Sequence, residues 1–271
     1  MTAWWTPGPI VIAGPCVLES DDLNLRVASA LAELAVRLDA RIIFKASFDK
    51  ANRTRAGAPR GPGLEAGLRA LERVRSESGL PILTDVHEPL QVEPVAAVVD
   101  AIQIPAFLCR QTDLLEAAGR SGRPVNLKKG QWMSPEAMAA AVDKVRQAGG
   151  LEVAVTERGT FFGYQDLVVD MRSFGRIRAL AAVPVFCDAT HAVQRPGRGP
   201  DGATGGRRED VPAILLGAAA AGADGFFLET HPDPQRAPSD AASMWPLDEL
   251  GGLLRRAVSV WQAARDGGPG D

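Results

Sequence analysis

Short runs of apolar, β-branched residues alternate along the chain with longer stretches whose apolar positions recur every three to four residues. The short runs predict strands at PIVIAGP (9–15), RIIFKAS (41–47), PILTDV (81–86), AIQIP (101–105), PVNLKK (124–129), EVAVTER (152–158), PVFCDAT (184–190) and GFFLETH (225–231). Between them lie helical stretches such as DLNLRVASALAELAVRL, GLEAGLRALERVRSES, SPEAMAAAVDKVRQAG and VPAILLGAAAAGA, with LDELGGLLRRAVSVWQAARD after the last strand. Gly79, Gly122 and Gly149 stand where helices end, and Pro9, Pro81, Pro124 and Pro184 stand at or beside strand starts, the usual punctuation of αβ loops. Eight strand–helix units with no linker between them predict a (β/α)8 TIM barrel, a single α/β domain over 1–271. The Gly/Pro-rich stretch RPGRGPDGATGGRR (195–208) follows the seventh strand and predicts a flexible βα loop, either of the kind that acts as a lid or a disordered surface insertion.

Composition narrows the class. A length of 271 residues suits one barrel, and 46% apolar with 23% charged residues is ordinary globular usage, which excludes disorder and coiled coil. A net charge of -3 gives no positive field for a duplex, so nucleic acid is not expected as a partner. The start MTAWWTPGPIVIAGP has no cationic leader, and no run of about 18 apolar residues occurs, so the expectation is a cytoplasmic protein without a membrane partner. Three cysteines at wide spacing read as reduced thiols. Cys109 and Cys187 are expected to be small buried hydrophobes.

In a (β/α)8 barrel the active site forms at the C-terminal ends of the strands. Strand one ends beside Cys16, strand two at Lys45 and Ser47, strand three at Asp85 and His87, and strand four at Gln103. Strand five ends at Asn126, Lys128 and Lys129, strand six at Glu157 and Arg158, strand seven at Asp188 and His191, and strand eight at Glu229 and His231. A purely structural barrel needs none of these groups at a converging rim, where they repel or must be desolvated together; their concentration points to an enzyme. Lys45, Lys50, Lys128 and Arg158, with Arg53 on the loop after strand two, form a cage for a substrate bearing phosphate and carboxylate. The same cage leaves open a Schiff-base aldolase acting through Lys45 or Lys128, and a non-catalytic barrel that binds a phosphosugar. Barrel closure sets strand eight beside strand one, so Cys16, His191 and Glu229 meet, within reach of Asp240 on the loop after strand eight. One thiolate, one imidazole and two carboxylates suit a borderline divalent ion, Fe2+, Zn2+, Mn2+ or Co2+, and the soft ligand argues against Ca2+ or Mg2+. His87 and His231 stand open between site and rim.

The segments FKASFDKANR, GPGLEAGL, TDVHEP, QIPAFLCRQTDL, VNLKKGQ, DLVVDMRSF, DATHAVQ, GGRRE and ETHPDP, spread over about residues 10–250, resemble the 3-deoxy-D-manno-octulosonate 8-phosphate synthases. The resemblance implies a (β/α)8 homotetramer. It implies condensation of phosphoenolpyruvate with D-arabinose 5-phosphate for lipopolysaccharide inner-core (KDO) synthesis in the cytoplasm, and leaves open another aldose phosphate as acceptor. By the same likeness, Lys45, Lys50, Lys128 and Arg158 hold the carboxylate and phosphate of phosphoenolpyruvate, with Ser47 and Gln103 assisting. Asn52, Arg53 and Thr54 match the segment for the arabinose phosphate, Arg53 and Thr54 serving a neighbouring subunit. The family commonly reads KANRSS where this chain has KANRTR, so Thr54 keeps the hydroxyl and Arg55 adds a cation. Cysteine rather than asparagine at position 16 marks a metal-dependent branch, which KKGQ and TERG also resemble, and Cys16, His191, Glu229 and Asp240 fall on its ligands. Asp85, His87 and Glu229 are the candidates for moving protons. The loop 195–208 differs in length and composition from the usual family loop.

Overall fold

The computed structural model describes residues 3–6, 8–52, 57–161, 163–164, 166–199 and 204–266. Its strands are β1 (Ile10–Gly14), β2 (Arg41–Lys45), β3 (Ile82–Asp85), β4 (Ala101–Ile104), β5 (Val125–Lys128), β6 (Val153–Glu157), β7 (Val185–Asp188), β8 (Gln194–Arg195), β9 (Gly205–Gly206), β10 (Gly225–His231) and β11 (Trp245–Pro246). The helices are α1 (Asp21–Leu38), α2 (Leu64–Ser78), α3 (Pro89–Val98), α4 (Thr112–Arg120), α5 (Pro135–Gln147), α6 (Ser173–Ala181), α7 (Ala189–Ala192), α8 (Val211–Ala220) and α9 (Leu247–Asp266). β1 to β7 pair in sequence order, β7 pairs with β10, and β10 pairs back onto β1 with Gly14 beside Glu229, all in parallel. The sheet is therefore a closed (β/α)8 barrel, with the expected helices in the connections.

Local chemistry explains the element ends. Ser20 and Ser134 cap α1 and α5 by accepting from Leu23 N and Ala137 N, and Gly79 ends α2 at φ 70°, where a side chain would be strained. The seventh strand stops at Asp188, two residues short of the sequence expectation. The Asp188 carboxylate accepts from His191 N at 2.9 Å and caps the single turn α7, so the chain bends where β propensity alone would carry it on. The expected loop 195–208 starts at a small antiparallel ladder, Gln194 opposite Gly206 and Arg195 opposite Gly205, which ties its base; residues 200–203 lie outside the described residues.

Strand residues alternate between two cores. One set (Val11, Ile42, Phe44, Ile82, Ile102, Val155, Phe226 among others) packs against the helices. The other set, Ile10, Ile12, Ile43, Leu83, Ala101, Ala154, Phe186 and Phe227, fills the barrel interior with Trp5, whose ring lies 5.5 Å from that of Phe186. Among the described residues, no helix is long and apolar enough to cross a membrane.

Candidate active site

The period of two that fills the interior also builds the site. On five strands an inward polar residue comes two positions beyond an inward apolar one: Ile43 is followed by Lys45, Leu83 by Asp85, Ala101 by Gln103, Phe186 by Asp188 and Phe227 by Glu229. On β6, Ala154 is followed by Thr156 and then Arg158, while β5 delivers Asn126 and Lys128. Cys16 lies just past β1 and is held there by the bridge between Val17 and Ser47. A hydrocarbon barrel thus carries a polar lid made by the same strands. Asn126, Gln103 and Thr156 form the buried join: Asn126 donates to Gln103 Oε1 at 3.1 Å and Thr156 donates to Asn126 Oδ1 at 2.7 Å.

The cations converge as expected. Lys45 Nζ reaches Ser47 Oγ at 3.1 Å, Cys16 O at 3.4 Å and Glu229 Oε1 at 3.4 Å, and Lys50 Nζ reaches the same Ser47 hydroxyl at 3.0 Å. Burial opposes the charge on Lys50, but Cys16, Glu229, Asp85 and Asp240 around it hold its ammonium above the ordinary range. Lys128 Nζ contacts the Asp188 carboxylate and lies 3.1 Å from the centre of the Phe227 ring; burial draws it down to about 8 against the pull of Asp188. Arg158 donates through Nη2 to Gln194 Oε1 at 2.5 Å, while its buried Nη1 has no hydrogen-bond partner. Asn52 is exposed on the loop after β2. Arg53 and Thr54, with Arg55, lie outside the described residues.

At the junction of β1 and β10, ligand atoms of Cys16, Glu229 and Asp240 all lie within 4.8 Å of one another, a group able to hold a metal ion. Cys16 donates its S–H to Asp240 Oδ2 at 3.1 Å, and Glu229 Oε2 is buried without a partner. Burial, then the charge of Glu229, push the Cys16 thiol well above its ordinary value, with Lys50 pulling the other way. Burial opposes ionisation of Asp240 too, but His191, Lys50 and the Cys16 thiol hold its carboxyl at about 2. A divalent cation relieves both frustrations at once: it favours the thiolate and partners the orphaned carboxylate oxygen, so the donor set fits one. His191, the fourth expected member, lies at the edge of this group. Its Nε2 is 3.7 Å from Glu229 Oε1, and its Nδ1 is 2.7 Å from Asp188 Oδ2.

Asp85 and His87 form a second pair, His87 Nε2 lying 3.3 Å from Asp85 Oδ2. Burial alone lowers the His87 pKa, but the hydrogen bond and charge of Asp85 outweigh it and the net shift is upward. Burial likewise opposes Asp85, and Lys45, His87 and Lys50 hold it well below the carboxylate range. His231 faces away from this chemistry: its Nε2 meets Glu19 Oε1 at 3.0 Å, and its Nδ1 accepts from Asp233 N. Cys109 and Cys187 are buried among apolar side chains.

Two participants were in view in the sequence but were given no role there. Asp188 partners both Lys128 and His191, and the DATH segment in which it caps a turn was the signal available. Gln194 joins Arg158 to Asp240; it ends the DATHAVQ segment, but nothing local to an uncharged amide shows which two distant groups it will touch. Behind the mouth, Lys129 and Glu157 pair at 3.2 Å and fasten β5 to β6, beside a cavity of about 400 Å3 on the outer side of those strands lined by Met133, Phe161 and Val168. Their sequence neighbours Lys128 and Arg158 point inward, so this outer cavity is separate from the mouth.

The DAHP synthetase I family model matches residues 7–263. The chain is similar to the 2-dehydro-3-deoxyphosphooctonate aldolase of Syntrophotalea carbinolica, with 54% identity over 92% of this chain and 90% of that protein. It is similar to proteins of the same name from Bradyrhizobium diazoefficiens, with 53% identity over 94% and 90%. The protein so named in Alkalilimnicola ehrlichii is 51% identical over 95% and 92%.

Proposed function

The chain belongs to the DAHP synthetase I family, and from that premise we propose that it condenses phosphoenolpyruvate with D-arabinose 5-phosphate and water, giving 3-deoxy-D-manno-octulosonate 8-phosphate and inorganic phosphate. It is a transferase of KDO and lipopolysaccharide biosynthesis, acting in the cytoplasm as a homotetramer. The carrying observation is the convergence of buried Lys45, Lys128 and Arg158, the last with an unpartnered Nη1, at the ends of β2, β5 and β6. Such a cage suits a ligand with more than one anionic group.

In the reaction, C3 of the enol attacks the aldehyde carbon and forms the new C–C bond. The aldehyde oxygen gains a proton, water adds at C2, and the C2–O bond to phosphate breaks so that phosphate leaves with the bridging oxygen. Lys45, Lys50, Lys128 and Arg158, with Ser47 and Gln103, hold the carboxylate and phosphate and stabilise the departing charge. Asn52, Arg53 and Thr54 hold the arabinose phosphate, the latter two from a neighbouring subunit. In this reading His87, whose protonated form Asp85 favours, protonates the nascent alkoxide, and Glu229 takes a proton from the water. Cys16, Glu229, Asp240 and His191 would hold a divalent ion, Fe2+, Zn2+, Mn2+ or Co2+, with Asp188 fixing the His191 ring. When bound, that ion supplies Lewis acidity at the aldehyde end of the site.

Phosphate release from phosphoenolpyruvate, measured across a panel of aldose phosphates alongside metal analysis of the purified protein, tests this reading. Release that depends on arabinose 5-phosphate and falls after chelation is expected; release indifferent to the aldose overturns it. The lowered pKa of Lys128 favours one rival, an aldolase acting through a Schiff base. Borohydride reduction with a carbonyl substrate should leave Lys45 and Lys128 unmodified, whereas an adduct on either supports the rival.

A further inference from the structure

Gln194 lies in β8, 8% exposed, with its backbone laddered to Gly206. Its side chain touches two groups that belong to different parts of the mouth. Oε1 accepts from Arg158 Nη2 at 2.5 Å, and Nε2 donates to Asp240 Oδ1 at 2.5 Å. The other oxygen of Asp240 accepts from Cys16 Sγ and from Ser239 Oγ, each at 3.1 Å. A continuous chain therefore runs from guanidinium through carboxamide and carboxylate to thiol. We infer that Gln194 is a positioning residue that sets the anion-binding guanidinium and the metal-binding corner with one side chain.

Chemistry dictates the orientation of the amide. A guanidinium only donates and an ionised carboxylate only accepts, so the carboxamide must turn its oxygen to Arg158 and its nitrogen to Asp240. The reverse orientation sets two donors and two acceptors against each other. A hydrocarbon side chain of equal length satisfies neither end, and a carboxylate or an ammonium satisfies only one. Each partner uses the bond. Arg158 Nη2 also donates to His191 O at the longer distance of 3.4 Å, so among the described residues Gln194 is the one side chain that accepts from it, and the buried Nη1 is left without a partner, available to an incoming anion. Asp240 has a left-handed backbone (φ 53°) that a side chain tolerates only when its surroundings hold it there, and Gln194 is one of those holds.

Both ends take their roles from the function proposed above, so the test reads them separately and without turnover. Cadmium titration followed by the ultraviolet band of the thiolate–metal bond reports the Cys16 corner, and calorimetry with phosphoenolpyruvate on the metal-free protein reports Arg158. In Gln194→Met both dissociation constants should rise about tenfold or more, the usual effect of removing a group that orients a ligand. Gln194→Asn, too short to span the gap, should behave alike and serves if the methionine variant misfolds by circular dichroism. In an Arg158→Ala background, Gln194→Met should weaken cadmium binding as before yet cost no further phosphoenolpyruvate affinity. Either constant staying within about twofold of wild type in a folded variant overturns the inference. A wild-type protein that shows no thiolate band or no phosphoenolpyruvate binding overturns the proposed function, and this inference with it.

Discussion

Lys128 sits between an anion and an aromatic face: its ammonium touches Asp188 and lies over the Phe227 ring, and burial still draws its pKa to about 8. An anionic ligand favours the protonated form, so binding raises that pKa. Just below about pH 8 the ammonium is already charged, so Lys128 adds no pH dependence to the affinity for phosphoenolpyruvate until the ligand's own phosphate protonates at about pH 6. Above it, binding must take up a proton, and affinity should fall by up to about tenfold per pH unit. Calorimetry near pH 8.5 in buffers of different ionisation enthalpy should register that proton uptake, and a pH-independent affinity up to pH 10 would contradict it. Lys128 itself was legible in the sequence, because a lysine that ends an apolar run on a barrel strand has one place to go. Asp188 was legible too, as a group ending strand seven, but its pairing with Lys128 was not: the two are 60 residues apart, and only the closed sheet sets their side chains together.

At the scale of elements, strand spacing leaves almost no room at some positions. Gly225 opens β10, and a Cβ there would lie 2.3 Å from Ile10 O and 2.9 Å from Phe186 Cδ1. Gly225→Ala must push apart the β1–β10 seam that closes the barrel and that presents Glu229 beside Gly14. We expect destabilisation of about 1–3 kcal/mol or more, seen as a lower midpoint in urea or thermal unfolding, since backbone cannot yield as a flexible side chain would. All eight barrel strands could be read from apolar runs and their punctuation, because those signals are local. The turn α7 and the ladder of β8 with β9 could not. The first depends on a side-chain cap overriding β propensity at Asp188, and the second on pairing across a glycine-rich stretch that carries no apolar pattern.

The whole molecule is two concentric hydrophobic layers with polar groups at one end. Trp5, 1% exposed, packs into the inner layer beside Ile10, Ala101 and Phe186 near the strand starts. Trp5→Ala should cost about 3–5 kcal/mol through the cavity it leaves, lowering the melting temperature by about 2–4 °C for each kcal/mol. Since Trp5 lies near the strand starts, away from the Cys16 corner and the cation cage at the strand ends, cadmium and phosphoenolpyruvate affinities measured well below the melting point should be unchanged.

Phe227 stands where the inner layer meets the mouth, with Lys128 above its ring and Ile10, Ile12, Ile43, Leu83 and Phe186 in the same interior cluster. In terms of proton traffic, that ring is a dead end. The interior cluster that includes Trp5 is lined by apolar side chains, which give a water no polar partners and a proton no titratable relay along the barrel axis. Every water consumed and every proton exchanged with solvent must then use the same doorway as the sugars, and a bound substrate is itself the valve on that exchange.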